Sequence, residues 1–220
     1  AIFLINREKQ KKEQEKRARR EEEERKERER LEKKRKEEEC LKLKQNLQHS
    51  VQNWETICGI IKYSYLFNYY PTTCDFDATE SEWDNRWLVW NFKNTPGKTS
   101  TSAHTDALNN VVPRLKKLLI NTFGLHNLKE LVLVCIPASS QQKTSLRYKE
   151  FSQMLCSETG MTSAYDKMTV TSERIAKHLG GTASSMNGKG NSMLAFKRKM
   201  EELGAIVVGG LSIGKTTHMR

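Results

Sequence analysis

LVLVCIP, at 131–137, is apolar at every position and shows no polar alternation. Such a run is expected of a strand buried on both faces of a parallel sheet. It opens directly into ASSQQKTSLRYK, at 138–149, which is polar and basic. A helix follows, with Phe151, Met154 and Leu155 inward and Gly160 as its stop. Strand, loop, helix is the unit of α/β folds, in which ligands sit at the carboxyl ends of strands.

The same kinds of element recur in a different order at the C-terminus, and a further helix lies upstream. Downstream, a helix over 192–203 ends at Gly204 and leads into a strand at 205–208. Upstream, Leu108, Val111, Val112, Leu115, Leu118 and Leu119 mark a helix that contains Pro113 and stops at Gly124. Trp83, Trp87 and Trp90 share one helical face and are assigned to the core, in preference to a role in stacking bases. The aromatic stretch at 63–71 reads as the transition into the globular part. Further back, Leu47, Val51, Trp54, Cys58 and Ile61 recur at steps of four and three, which predicts an amphipathic connecting helix over 45–68.

From Arg7 to Lys36 there is no Pro or Gly, and Glu precedes a cation by four residues at Glu8/Lys12, Glu21/Arg25, Glu29/Lys33 and Glu32/Lys36 among others. Ala18 is the only apolar residue between Asn6 and Arg30, so a coiled-coil seam is missing there. The expectation for 1–44 is a solitary charged helix, on the order of 50 Å long at about 1.5 Å per residue, that acts as a spacer. Interleaved glutamates argue against a nucleic-acid arm.

The chain is 220 residues long, enough for one ordinary domain plus this extension, and its net charge is +11. Residues 7–44 contain 18 Lys/Arg and 13 Asp/Glu, so both the helix and the remainder are basic. Nucleic acid, an acidic membrane surface and phosphorylated metabolites all answer to that charge. Cys40, Cys58, Cys74, Cys135 and Cys156 form no C-x-x-C pair, so neither a zinc ribbon nor a disulfide framework is indicated and a reducing cytoplasm is the simplest location. The opening AIFLI runs into Arg7, Lys9, Lys11 and Lys12, as the cytoplasmic end of a membrane tether at 1–5 would. A frayed terminus is the preferred reading, because so short a stub cannot span a bilayer.

Several pieces of 69–220 together resemble the ComF branch of type I phosphoribosyltransferases, a group associated with DNA uptake in bacteria. They are Tyr69-Tyr70, Arg86-Trp87-Leu88, Phe92-Lys93, VCIPASS with Arg147-Tyr148-Lys149, and GNSMLAFKRKMEELGAIVVGGLSIGKT at 190–216. The resemblance implies a parallel sheet flanked by helices and a glycosyltransferase reaction. A nucleophile would displace pyrophosphate from C1 of phosphoribosyl pyrophosphate (PRPP), with Mg²⁺ bridging substrate oxygens. It further implies that Lys189, Gly190, Asn191, Ser192 and Met193, at a helix start, hold the 5′-phosphate. Ser139, Ser140, Lys143 and Arg147 would hold the leaving pyrophosphate.

One family element is missing. An apolar strand ending in two adjacent acids should precede the phosphate loop, yet 181–190 reads GTASSMNGKG and no acid occurs between Glu173 and Glu201. Magnesium-assisted transfer depends on such carboxylates. The expected activity is therefore binding of PRPP or a related phosphosugar, with transfer to an unknown acceptor as its extension. A non-catalytic scaffold that engages nucleic acid, membrane or a partner through its basic helix is the alternative, and the apolar stripe at 47–61 leaves room for a homodimer. GGLSIGKT, at 209–216, satisfies G-x-x-x-x-G-K-[ST], but no following helix can be read and an NTP loop is not expected.

Overall fold

The computed structural model describes residues 2–170 and 191–217. The chain divides into two compact units, Ala1–Asn46 and Leu47–Arg220. The fold is mixed α/β with a long N-terminal helix.

Helix α1 (Ile2–Ser50) supplies the described residues of the first unit. Its side chains are solvated from Arg7 to Leu41, and it is laced by pairs such as Lys26–Glu22 at 2.7 Å and Lys36–Glu32 at 2.7 Å. Of the Glu-before-cation pairs named above, Glu32/Lys36 forms, while Arg25 and Lys33 turn instead to Glu29 and Glu37 on their C-terminal sides. Each cation has acids on both sides within a turn, so several pairings of similar energy compete. The Lys26 and Lys36 hydrogen bonds hold the Glu22 and Glu32 carboxyls below the usual carboxylate range.

The connecting helix predicted over 45–68 is not what forms. α1 stops at Ser50, and β1 (Glu55–Ile57) and β2 (Ile61–Tyr69) make an antiparallel hairpin with Ile57 opposite Ile61. Cys58 and Gly59 both have positive φ, 50° and 68°, and the Ile60 N–H donates to the Ile57 carbonyl at 2.9 Å. Two successive positive φ values are the signature of the tight turn whose twist suits a hairpin. Ile61 and Tyr63 are buried while Lys62 is less so, a period of two that the helical stripe concealed.

β2 also pairs in parallel with β5 (Gly210–Thr216), from Tyr63↔Gly210 to Tyr69↔Thr216, which gives the sheet order β1-β2-β5. The strand expected at 205–208 thus lies further on, and GGLSIGKT is strand rather than phosphate loop. Its glycines are required by packing. A Cβ on Gly210 would strike the Met193 sulfur, one on Gly214 would lie 2.9 Å from Tyr69 Cβ, and one on Gly209 would lie 2.9 Å from the Trp54 ring. Glu55 ties the sheet's surface by accepting from Tyr65 Oη at 2.8 Å and Lys215 Nζ at 2.6 Å.

Helix α2 (Glu80–Lys93) starts in a Thr79/Glu82 capping box and ends at Asn94 with φ 48°. Buried Arg86 donates to the Tyr70 and Pro71 carbonyls at 2.7 and 3.1 Å, latching the end of β2 to α2. Two of the three tryptophans are not core, and Trp90 is half-buried. Trp83 is 40% and Trp87 55% exposed, because the buried stripe of α2 is carried by Arg86 and Phe92.

Helix α3 (Thr101–Leu128) keeps Pro113 within it and is interrupted at Gly124 (φ 74°, ψ 149°), where the stop is expected, with a further turn beyond the kink as far as Leu128. Its Leu108, Val111, Val112, Leu115 and Leu119 form the core, with Phe92 and with Phe151 and Leu155 of α4 (Gln141–Thr159). Of the strand expected at 131–137, only β3 (Val132–Leu133) forms, parallel to β4 (Thr162–Ser163). Among the described residues it has no second neighbour. Val132 is 58% exposed and Cys135 buried, and most of the run is half-buried rather than buried on both faces. A short 3₁₀ turn, Tyr165–Lys167, and helix α5 (Asn191–Glu202), closed by Gly204 at φ 84°, complete the second unit.

Candidate anion-binding site

The segment from Cys135 to Arg147 leaves β3 and turns into α4, and its shape is set by Thr144. That buried hydroxyl accepts from the Ala138 N–H at 3.0 Å and donates to the Ser140 carbonyl at 2.8 Å. Ser140 caps α4, its Oγ accepting from the Lys143 N–H at 3.3 Å. Lys143 Nζ reaches Ser139 Oγ at 3.5 Å. The first turn of α4 holds no acid, so the positive end of the helix is not neutralised locally.

Arg147 lies one turn further on, its guanidinium 5.7 Å from the Tyr148 ring. Its Nε is buried with no hydrogen-bond partner. Burial pushes the Tyr148 phenol up, against the pull of Arg147. The C-terminal end of α2 joins this group, because Asn94 Nδ2 donates to the Leu146 carbonyl at 3.0 Å. That contact brings in Lys93. Partial loss of hydration, and then the charge of Arg147, hold the Lys93 ammonium below its ordinary value. In the sequence, Lys93 is marked only by the Phe92-Lys93 dipeptide, since nothing in the spacing pairs it with a residue about fifty positions away.

Ion pairs among the described residues of this unit include Lys116–Glu158, Lys197–Glu201, Lys199–Glu202 and Lys215–Glu55. Among the described residues, none involves Lys93, Lys143 or Arg147. Lys143 and Ser139 thus meet at the capped start of α4. Arg147 follows one turn on with its charge felt by Lys93, and these cations have no ion-pair partner among the described residues. Such donors suit an oxyanion. They do not suit a resident Mg²⁺, which needs oxygen ligands and usually carboxylates. Among the described residues, no group of three or more His, Cys, Asp or Glu side chains could hold a metal ion.

The second predicted cluster is only partly described. Lys189 and Gly190, like the whole of 181–190, lie outside the described residues. Asn191 begins α5, Ser192 is exposed in its first turn, and Met193 packs on Gly210. Met193 is thus a packing residue. Among the described residues, no hydrogen bond or ion pair joins Ser192 to Ser139, Ser140, Lys143 or Arg147. No protein-family model, curated protein or solved structure matches this chain. Among the described residues, no helix is long and apolar enough to cross a membrane.

Proposed function

We propose that this chain is a phosphoribosyltransferase-like protein of the ComF type that binds PRPP or a related phosphosugar. Its pyrophosphate would lie on Ser139, Ser140, Lys143 and Arg147, with Lys93 reaching in from α2. The observation that carries this reading is the unpaired cation group at the start of α4, with the buried Arg147 Nε lacking a partner. The parallel ladders β2–β5 and β3–β4 are consistent with a larger parallel arrangement of that family's kind. The 5′-phosphate is assigned to 189–193 by resemblance. Mg²⁺ would arrive on the oxygens of the phosphosugar. Binding is the primary claim, and transfer to an acceptor depends on carboxylates that the described part of the site does not supply.

A second reading, a scaffold that engages nucleic acid or an acidic surface, is supported by the net positive charge of the solvated α1. Calorimetric titration with PRPP and Mg²⁺ separates the two. The expected result is binding that weakens by about 10- to 100-fold in Lys143→Ala or Arg147→Ala, the worth of one charged hydrogen bond. Absence of PRPP binding, together with salt-sensitive binding of single-stranded DNA, would overturn it.

A further inference from the structure

Apart from the α4 loop, the second unit carries a groove between α2 and α3. It encloses about 360 Å³, within the size range of small-molecule sites. Its floor is low because Ala103 and Ala107 face it from α3. Trp87 stands on its α2 side and is 55% exposed. That indole is braced rather than loose. Trp90 meets it edge to face, with centroids 5.2 Å apart and planes at 83°, and Trp90 in turn contacts Trp83 at 6.4 Å. Trp90 itself is anchored through Nε1, which donates to Tyr69 Oη at 3.3 Å.

Polar groups of both kinds line the same groove. Asp84 and Asn85 come from α2, Asp106, Asn110 and Arg114 from α3. Arg114 is held in place, with its guanidinium 5.3 Å from the Phe67 ring and a hydrogen bond of 3.2 Å to Asn110 Oδ1. This mixture decides the ligand class. Two carboxylates oppose a phosphate or a nucleic-acid backbone, and Arg114 opposes a cation. Carboxylates that only accept, a guanidinium that only donates and amides that do both suit hydroxyls, each of which donates and accepts. A large exposed indole beside them suits the apolar C–H face of a sugar ring.

We infer that the groove between α2 and α3 binds a neutral saccharide ring, stacked on Trp87 and hydrogen-bonded by Asp84, Asn85, Asp106 and Asn110. The site is open, so the affinity is weak, with a Kd on the order of 1 mM. It is independent of the α4 cation group, and neither reading requires the other.

The test follows the tryptophan indole N–H signals of the full chain by NMR, with the Trp87 signal assigned through Trp87→Phe. Glucose, galactose, N-acetylglucosamine, tetramethylammonium and inorganic phosphate are titrated separately. A saturable shift of the Trp87 signal with at least one sugar is expected, weakened about tenfold or more in Asp106→Ala. An unchanged circular dichroism spectrum of that variant shows the fold intact. The inference is overturned if no sugar moves the Trp87 signal, if tetramethylammonium alone moves it, or if the sugar response survives Asp106→Ala unchanged.

Discussion

Lys93 and Lys215 place the same side chain in opposite surroundings. Lys215 is raised above its ordinary value, first by its hydrogen bond to Glu55, whereas Lys93 is lowered by lost hydration and by Arg147. The consequences for stability have opposite signs. Between its folded and unfolded values Lys93 is more protonated in the unfolded chain, so its contribution rises with pH across that window. Lys215 stabilises below the ordinary lysine value and loses that contribution as pH climbs through its raised one. Lys215 is open to solvent, so its effect on stability is small. Titration of methylated lysines by NMR should place Lys93 below the bulk of the lysines and Lys215 above it. Added pyrophosphate should bring Lys93 back up, because an anion between two cations favours both charged forms. A Lys93 that titrates with the bulk and ignores pyrophosphate would remove it from the site. Cys135, pushed up to about 12 by burial and then by Cys156, has no comparable role open to it as a thiolate.

Legibility differs by element, and for physical reasons. Helices α1, α3, α4 and α5 can be read because each has a long period or a clear stop, such as Gly160 at φ 75° after α4. The β1–β2 hairpin cannot. Leu47, Val51, Trp54, Cys58 and Ile61 fit a helix by spacing, and only the backbone shows that Cys58-Gly59 reverses the chain. LVLVCIP has the composition of a buried strand, but composition does not supply partners, and pairing is limited to the two residues opposite β4. The hydroxyls and cations of the α4 loop can be named from the sequence because they lie within one short stretch. The place of Lys93 cannot be read there, because it is fixed by the Asn94 to Leu146 hydrogen bond across the fold. β5 is displaced from its expected position because glycines that read as loop are there for close approach. That packing is testable, since Gly210→Ala puts a methyl group where the Met193 sulfur sits and should cost about 1–3 kcal/mol by denaturant unfolding. Met193→Ala should recover most of that loss in the double variant, a coupling that a glycine needed only for backbone freedom would not show.

At the scale of the whole molecule, the two units differ in charge and in packing. The described residues of the first unit form a helix, solvated from Arg7 to Leu41, whose residues 7–44 carry 18 cations against 13 acids, spread along its length with no buried core among the described residues. Leu47–Arg220 holds the buried hydrophobic residues, the cation group of α4 and the groove of α2 and α3. Long-range attraction to a polyanion scales with the number of charges engaged, whereas recognition of a small phosphosugar depends on a few placed donors. Removal of residues 1–46 should therefore leave a domain that unfolds cooperatively and binds PRPP within about twofold of the full chain, since the α4 donors remain in place. The same truncation should flatten the dependence of single-stranded DNA affinity on salt, because the log–log slope falls in proportion to the number of phosphates the protein neutralises. If the truncated chain instead failed to bind PRPP and kept its DNA affinity, the assignment of the two chemistries to the two units would be reversed. Anion recognition would then belong to the charged helix rather than to the loop that caps α4.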